Sequence, residues 1–195
     1  LDQVDLAIEN WLKADNQPMS MLLGSYGTGK TTVTRIVSYK QAELFQNGAI
    51  GNSRVPIIFP LRLFPKYNVV DIGGFIVSYL RNFSGLKNMD FDAFQKMNHS
   101  GKLLLIFDGF DEMGTRVDRT ILKRNFAAVC SLIKTGHEKI IVSSRPEVFL
   151  TDAKSIPNIM REIGRLREVT FREVGEGTNE AIDLDKIDEE TGNLI

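Results

Sequence analysis

The sequence predicts an α/β fold in which a parallel sheet is covered by helices on both faces. Short, mostly apolar runs at 19–23, 103–107 and 139–143 have the pattern of strands buried on both sides. Longer segments with helical spacing separate them. Strands that alternate with helices are joined by right-handed crossovers, and such crossovers make a sheet parallel.

The elements follow in order. Residues 2–14 read as a helix with Val4, Ile8, Trp11 and Leu12 on one apolar stripe, ended by the break from Asp15 to Pro18. Met19 to Leu23 leads into a glycine-rich loop. After Lys30 a second helix is expected, with Val33, Ile36, Val37, Lys40 and Leu44 in register and Gly48 as its stop. Val55 to Phe64 is an apolar run holding Pro56 and Pro60. A proline cannot donate to a ladder, so this strand belongs at a sheet edge. Asp71 is placed to cap a helix carrying Ile72, Phe75, Ile76, Tyr79, Leu80 and Phe83. Asp90 is placed to cap a shorter one with Phe91 and Phe94, closed by Gly101. Between the apolar runs at 103–107 and 139–143, a helix near 117–134 turns Ile121, Leu122, Phe126, Val129 and Ile133 inward. Glu168 to Val174 offers a last strand. From Glu176 onward acids dominate and aromatics vanish, so the chain divides into a domain at 1–175 and an acidic tail or incomplete neighbouring segment at 176–195.

The 195 residues suit one domain with a real core, at 43% hydrophobic and 25% charged. A net charge of −1 gives no global basic field, so nucleic acid is not an expected partner. No apolar run approaches the ~20 residues of a membrane span, and no membrane partner is expected. The single cysteine, Cys130, precludes an internal disulfide and suits a reducing cytoplasm. Leu1 in place of Met suggests a piece of a longer protein.

The glycine-rich loop is Gly24-Ser25-Tyr26-Gly27-Thr28-Gly29-Lys30-Thr31, a full match to G-x-x-x-x-G-K-[ST]. Glycines let the backbone curl until successive N–H groups face one anion, and the following helix adds its positive end. The strand before and the amphipathic helix after are the context this phosphate-binding loop requires. Lys30 is then expected on the β- and γ-phosphates, the Thr31 hydroxyl on Mg²⁺, and Thr32 near the α-phosphate. Tyr26 belongs to the loop without a side-chain role of its own.

The apolar run at 103–107 ends on Asp108, at the edge where parallel sheets bind ligands. Asp108 is expected to hold Mg²⁺ through a water. Asp111 and Glu112 follow; an acid there orients the attacking water, Glu112 being the first choice and Asp111 the second. Ile140 to Pro146 ends another buried strand on Ser143, Ser144 and Arg145. Arg145 is either a reader of the γ-phosphate or a surface cation. Asp111-Glu112-Met113-Gly114 fits the D-x-x-G of switch GTPases, but no guanine-reading N-K-x-D follows, so adenine is favoured.

Together, the 24–31 loop and Asp108-Gly109-Phe110-Asp111-Glu112 resemble the NACHT-type NTPase domain, a P-loop NTPase within the signal-transduction ATPases of the additional-strand class. The resemblance spans roughly 17–175. It implies a sheet ordered 5-1-4-3-2 with 55–64 at the edge, and it favours the sensor reading of Arg145. It further implies a slow ATPase that switches between ADP and ATP, self-associates in the ATP state, and works with fused effector and sensor domains. The stretch after Val174 departs from the helical lid of that family. Two other readings are a nucleotide-holding structural module without useful hydrolysis and an ATPase stimulated by nucleic acid.

Other residues carry bland expectations. Cys130 packs in the core. His99 and His137 lack partners at zinc-ligand spacing. Trp11 is a packing residue or a border of the adenine pocket. Arg116, Arg119, Lys123 and Arg124 form a solvated helix face.

Overall fold

Four parallel strands form one sheet in the order β1-β4-β3-β2, with β1 at Met19–Leu23, β2 at Val55–Pro60, β3 at Leu103–Asp108 and β4 at Lys139–Ser144. The structure is a computed structural model that describes residues 2–14, 17–48, 53–83, 85–113 and 119–148. The strand expected at 168–174, which would complete the order 5-1-4-3-2, lies outside the described residues, as does the acidic stretch 176–195. Leu1–Arg145 form one compact unit and Pro146–Ile195 a second. In the second, a short 3₁₀ turn at Pro146–Val148 is described.

Helices flank the sheet as the alternation predicts: α1 (Asp2–Lys13), α2 (Lys30–Gln46), α3 (Ile72–Phe83), α4 (Phe91–His99), a single turn α5 (Phe110–Met113) and α6 (Arg119–Cys130). Both aspartate caps form. Asp71 Oδ1 accepts the Gly74 N–H at 2.8 Å, and Asp90 Oδ1 accepts that of Ala93 at 2.7 Å. β2 is an edge strand, as Pro56 and Pro60 require. It is shorter than its apolar run suggests. Its last pair is Pro60 with Asp108, where β3 ends, so Leu61–Tyr67 coil into a 3₁₀ helix that buries Leu61 and Phe64.

The two sheet faces are packed differently. On one, Ile8, Trp11 and Leu12 of α1 join Val33 and Val37 of α2 over Leu104, Ile106 and Ile141. On the other, aromatics dominate. Phe59 stacks on Phe107 at 5.2 Å between ring centroids and meets Phe75, Tyr79 and Phe94 of α3 and α4. Each fully buried ring contributes about 1.5–3 kcal/mol relative to exposure. Trp11 therefore packs in the core, where its indole N–H finds no acceptor among the described residues.

Some expected stripe positions are not buried. Val4 and Leu44 are exposed, and on α2 the inward row is Val33, Thr34, Val37 and Gln41. On α6, Phe126 and Val129 are inward as expected, and Leu132 is buried beyond its end while Ile133 is half-buried. Cys130 is half-buried, and burial pushes its thiol pKa up. Among the described residues no helix is long and apolar enough to cross a membrane.

Candidate functional site

β1, β3 and β4 are parallel, so their C-terminal ends lie at one edge of the sheet. The loop 24–29 leaves β1 there. Its backbone is anchored at the start, where the Gly24 N–H donates to the Ser144 carbonyl at the end of β4 at 3.2 Å. Gly27 and Gly29 take the left-handed conformation, at φ 80° and 87°. Gly29 also serves as the N-cap of α2, with no side chain bonding the first turn. The first-turn amides of a helix have no intrahelical acceptor, so those of α2 are available to an anion.

Glycine is required in the loop for two reasons. At 27 and 29 the backbone twist excludes a side chain, and the space beside each Cα is open. At Gly24 the constraint is contact, because a Cβ would lie 2.6 Å from the Thr28 hydroxyl oxygen. That hydroxyl donates to the Ser25 carbonyl at 2.9 Å and braces the curl. Lys30 folds back over the loop, its Nζ donating to the Gly24 carbonyl and, at 2.9 Å, to that of Ser25. These carbonyls hold the ammonium at the loop's mouth. Ser25, Tyr26, Gly27 and Thr28 are exposed, as are Thr31 and Thr32 on the first turn of α2.

The structure brings Thr31 and Asp108 together across 77 positions of sequence. The Thr31 hydroxyl donates to Asp108 Oδ2 at 3.0 Å. The other carboxylate oxygen, Oδ1, accepts the Ser143 hydroxyl at 2.6 Å and lies 3.5 Å from that of Thr34. Ser143 Oγ in turn accepts the Gly109 N–H at 2.8 Å. The single hydroxyl hydrogen of Ser143 is thus spent on the carboxylate, and its lone pair on the backbone beyond Asp108. Ser143 and Thr34 are both about 1% exposed. Neither was singled out from sequence. The signal for Ser143 was a hydroxyl at the end of a fully buried strand, where a polar atom must find a partner.

Thr31 and Asp108 offer hard oxygens of the kind Mg²⁺ takes. Among the described residues no three His, Cys, Asp or Glu side chains cluster to hold a metal. A cation between Thr31 and Asp108 would draw its remaining ligands from water and from an anion in the loop. That division suits Mg²⁺, which keeps several waters and shares phosphate oxygens. The donor set and the open glycine cradle therefore fit a metal–phosphate pair.

The two acids after Asp108 have different surroundings. Asp111 is nearly buried, and both its oxygens are engaged by Arg145: Oδ1 by the backbone N–H at 3.2 Å and Oδ2 by Nε at 2.8 Å. Glu112 is exposed on α5. Its carboxyl group packs on Gly109, where a Cβ would sit 3.1 Å from Glu112 Cδ. Gly109 also has φ 78°, so the small residue after Asp108 has both a conformational and a steric reason.

No protein-family model matches the chain. An uncharacterized WD repeat-containing protein of Nostoc sp. is 30% identical over 194 residues. That match takes in 96% of this chain but 12% of the Nostoc protein, so the chain corresponds to a small region within a much larger relative. Two shorter matches are to glycine N(alpha)-acyltransferases. That of Phocaeicola vulgatus is 47% identical over 45 residues, 23% of this chain and 14% of that enzyme. That of Bacteroides thetaiotaomicron is 44% identical over 45 residues, 23% of this chain and 13% of the enzyme. The chain is a parallel α/β domain homologous to a region of a multidomain protein.

Proposed function

We propose that this chain is the nucleotide-binding core of an ATP-operated switch of NACHT type, with slow ATPase activity, working inside a larger protein. The observation that carries the reading is the 3.0 Å contact between Thr31 and Asp108 at the mouth of the glycine loop. A loop that collects amides, a lysine and a cation-suited oxygen pair at one strand edge has the composition of a Mg–triphosphate site.

In this reading the loop amides and the first turn of α2 bind the phosphate chain. Lys30 moves from the Gly24 and Ser25 carbonyls to the β- and γ-phosphate oxygens, exchanging neutral acceptors for charged ones. Thr31 and Asp108 would hold Mg²⁺, which would supply positive charge for the phosphate oxygens. Arg145 reads the γ-phosphate with its planar fork. Glu112 orients the attacking water. An arginine supplied in trans commonly adds 10³–10⁵ to the rate of such sites, so turnover of the chain alone is expected to be below about 1 s⁻¹. The large size of the Nostoc relative favours fused domains that sense and relay the nucleotide state.

Titration calorimetry tests this directly, using the chain with Mg-ATP, Mg-GTP and Mg-ADP beside Lys30→Ala. Saturable ATP binding, weaker with GTP and lost in the variant, is the expected result. A wild-type protein that is folded, free of resident nucleotide after denaturation and assay, and silent to ATP would overturn it.

A further inference from the structure

Asp111 and Arg145 close a small ring. One carboxylate oxygen accepts the arginine's own backbone N–H, and the other accepts Nε of the same side chain. Two bonds from one acid to one residue fix both the end of β4 and the direction in which the guanidinium leaves it. Nε–H is one of five donors on that group. Among the described residues, Asp111 is the acid that pairs with Arg145, and the guanidinium is partly exposed to solvent. Arg145 also follows directly on Ser144, whose carbonyl accepts the Gly24 N–H at the root of the phosphate-type loop. Arg145 thus leaves β4 one residue beyond the root of that loop, and a nearly buried acid sets the direction of its side chain.

We propose, building on the nucleotide-switch reading above, that Asp111 is a positioning residue for Arg145 and not a second water-orienting acid. A carboxylate with 9% of its side chain exposed and both oxygens bonded to arginine is poorly placed to hold an attacking water. Its negative charge steadies the guanidinium while the remaining N–H groups address the terminal phosphate of ATP. The adjacent acids therefore divide their work. Asp111 sets how strongly the site distinguishes a triphosphate from a diphosphate, and exposed Glu112 serves hydrolysis. In Asp111→Asn one of the two bonds is lost whichever way the amide turns, since an amide has one acceptor oxygen.

The test measures ATP and ADP affinities with Mg²⁺ for the full chain, Asp111→Asn, Arg145→Ala and the double variant, with turnover followed in parallel. Each single variant should lower the ATP-to-ADP affinity ratio about tenfold or more, and the double variant should lower it no further. Glu112→Gln should keep the ratio and lose turnover. Circular dichroism confirms folding, and Asp111→Glu, which restores two acceptor oxygens, should recover part of the ratio. Asp111→Asn that abolishes turnover with the ratio intact would overturn the proposal, as would additive losses in the double variant. In either case the nucleotide reading survives if Lys30→Ala still abolishes binding. A folded wild-type chain that binds no nucleotide would overturn both.

Discussion

The two ends of the sheet use charged residues in opposite ways. At the N-terminal end, Glu138 and Lys139 are buried and engaged, and Arg54 beside them is half-buried. Glu138, 0% exposed, accepts backbone N–H groups of Lys134 and Thr135 and is bonded to Nδ1 of His99 at 2.8 Å. Lys139, 2% exposed, donates to the carbonyls of Trp11, Ala14 and Gln17 at 2.7–2.9 Å and lies 4.8 Å from the Trp11 ring centroid. Arg54 bonds the Gly101 and His137 carbonyls, and burial lowers its pKa. At the C-terminal end, Lys30, Glu112 and Arg145 are partly or largely exposed, and the contacts of Lys30 are to neutral carbonyls that a phosphate can replace. The difference separates charge that stabilises from charge that is available for exchange. Burial with saturated partners marks the first; exposure with replaceable partners marks the second.

The largest effect should come from Lys139→Met. It leaves three carbonyls without their cation, and a loss of about 3–5 kcal/mol is expected in urea unfolding. Lys30→Ala, by contrast, should leave the unfolding midpoint in place. An equal loss in both variants would erase the contrast between the two ends.

The next effect is a pH dependence. Burial alone would raise the Glu138 pKa, but its own backbone N–H, those of Thr135 and Lys134, and His99 outweigh it and hold the carboxyl at about 2. The folded chain therefore binds this proton less readily than the unfolded chain. Its contribution is fully present above about pH 4.5 and is lost as pH falls toward 2. Glu138→Gln should lower stability by about 2 kcal/mol at neutral pH and flatten the acid limb of an unfolding-versus-pH curve. A wild-type curve already flat from pH 5 to 3 would contradict the assignment.

Ser143→Ala should act at the other end. It removes the hydroxyl that joins Asp108 to the Gly109 N–H, and a fall of about tenfold in the Mg²⁺-dependent part of ATP affinity is expected. ADP affinity measured without Mg²⁺ should change little. Equal losses with and without the cation would place Ser143 in general support of the loop.

Tyr26→Ala should have the smallest effect. The side chain is 90% exposed, so stability should stay within about 0.5 kcal/mol and nucleotide affinity within twofold. A large loss of affinity would show that the loop binds through this ring as well as through its backbone.

Local signals in the sequence carried much of the fold. Pro56 and Pro60 implied an edge because a missing donor is a property of the residue itself. Asp71 and Asp90 implied caps for the same reason. The loop pattern likewise fixed its own backbone requirements, and β3 and β4 were legible as unbroken buried runs. What a residue meets from elsewhere in the chain was less legible. Leu44 and Val4 keep helical spacing but are exposed, since periodicity defines a face and not the extent of its partner. The Leu61–Phe64 stretch looked extended until the pairing of Pro60 with Asp108 showed that no ladder continues. Ser143 on Asp108, Asp111 on Arg145 and Lys139 on α1 span 35, 34 and more than 120 positions. No spacing rule reaches so far.

β4, like β3, is hydrogen-bonded on both flanks, here to β1 and to β3. Its first residue, Lys139, grips the end of α1; its last two, Ser143 and Ser144, touch Asp108 and the root of the glycine loop. Six residues of extended chain make a rod of about 20 Å. A strand locked along both sides has little freedom to stretch or buckle, so it behaves as a push-rod whose ends move together. The first helix of the chain and the phosphate end of the sheet are, in mechanical terms, two handles on one bar.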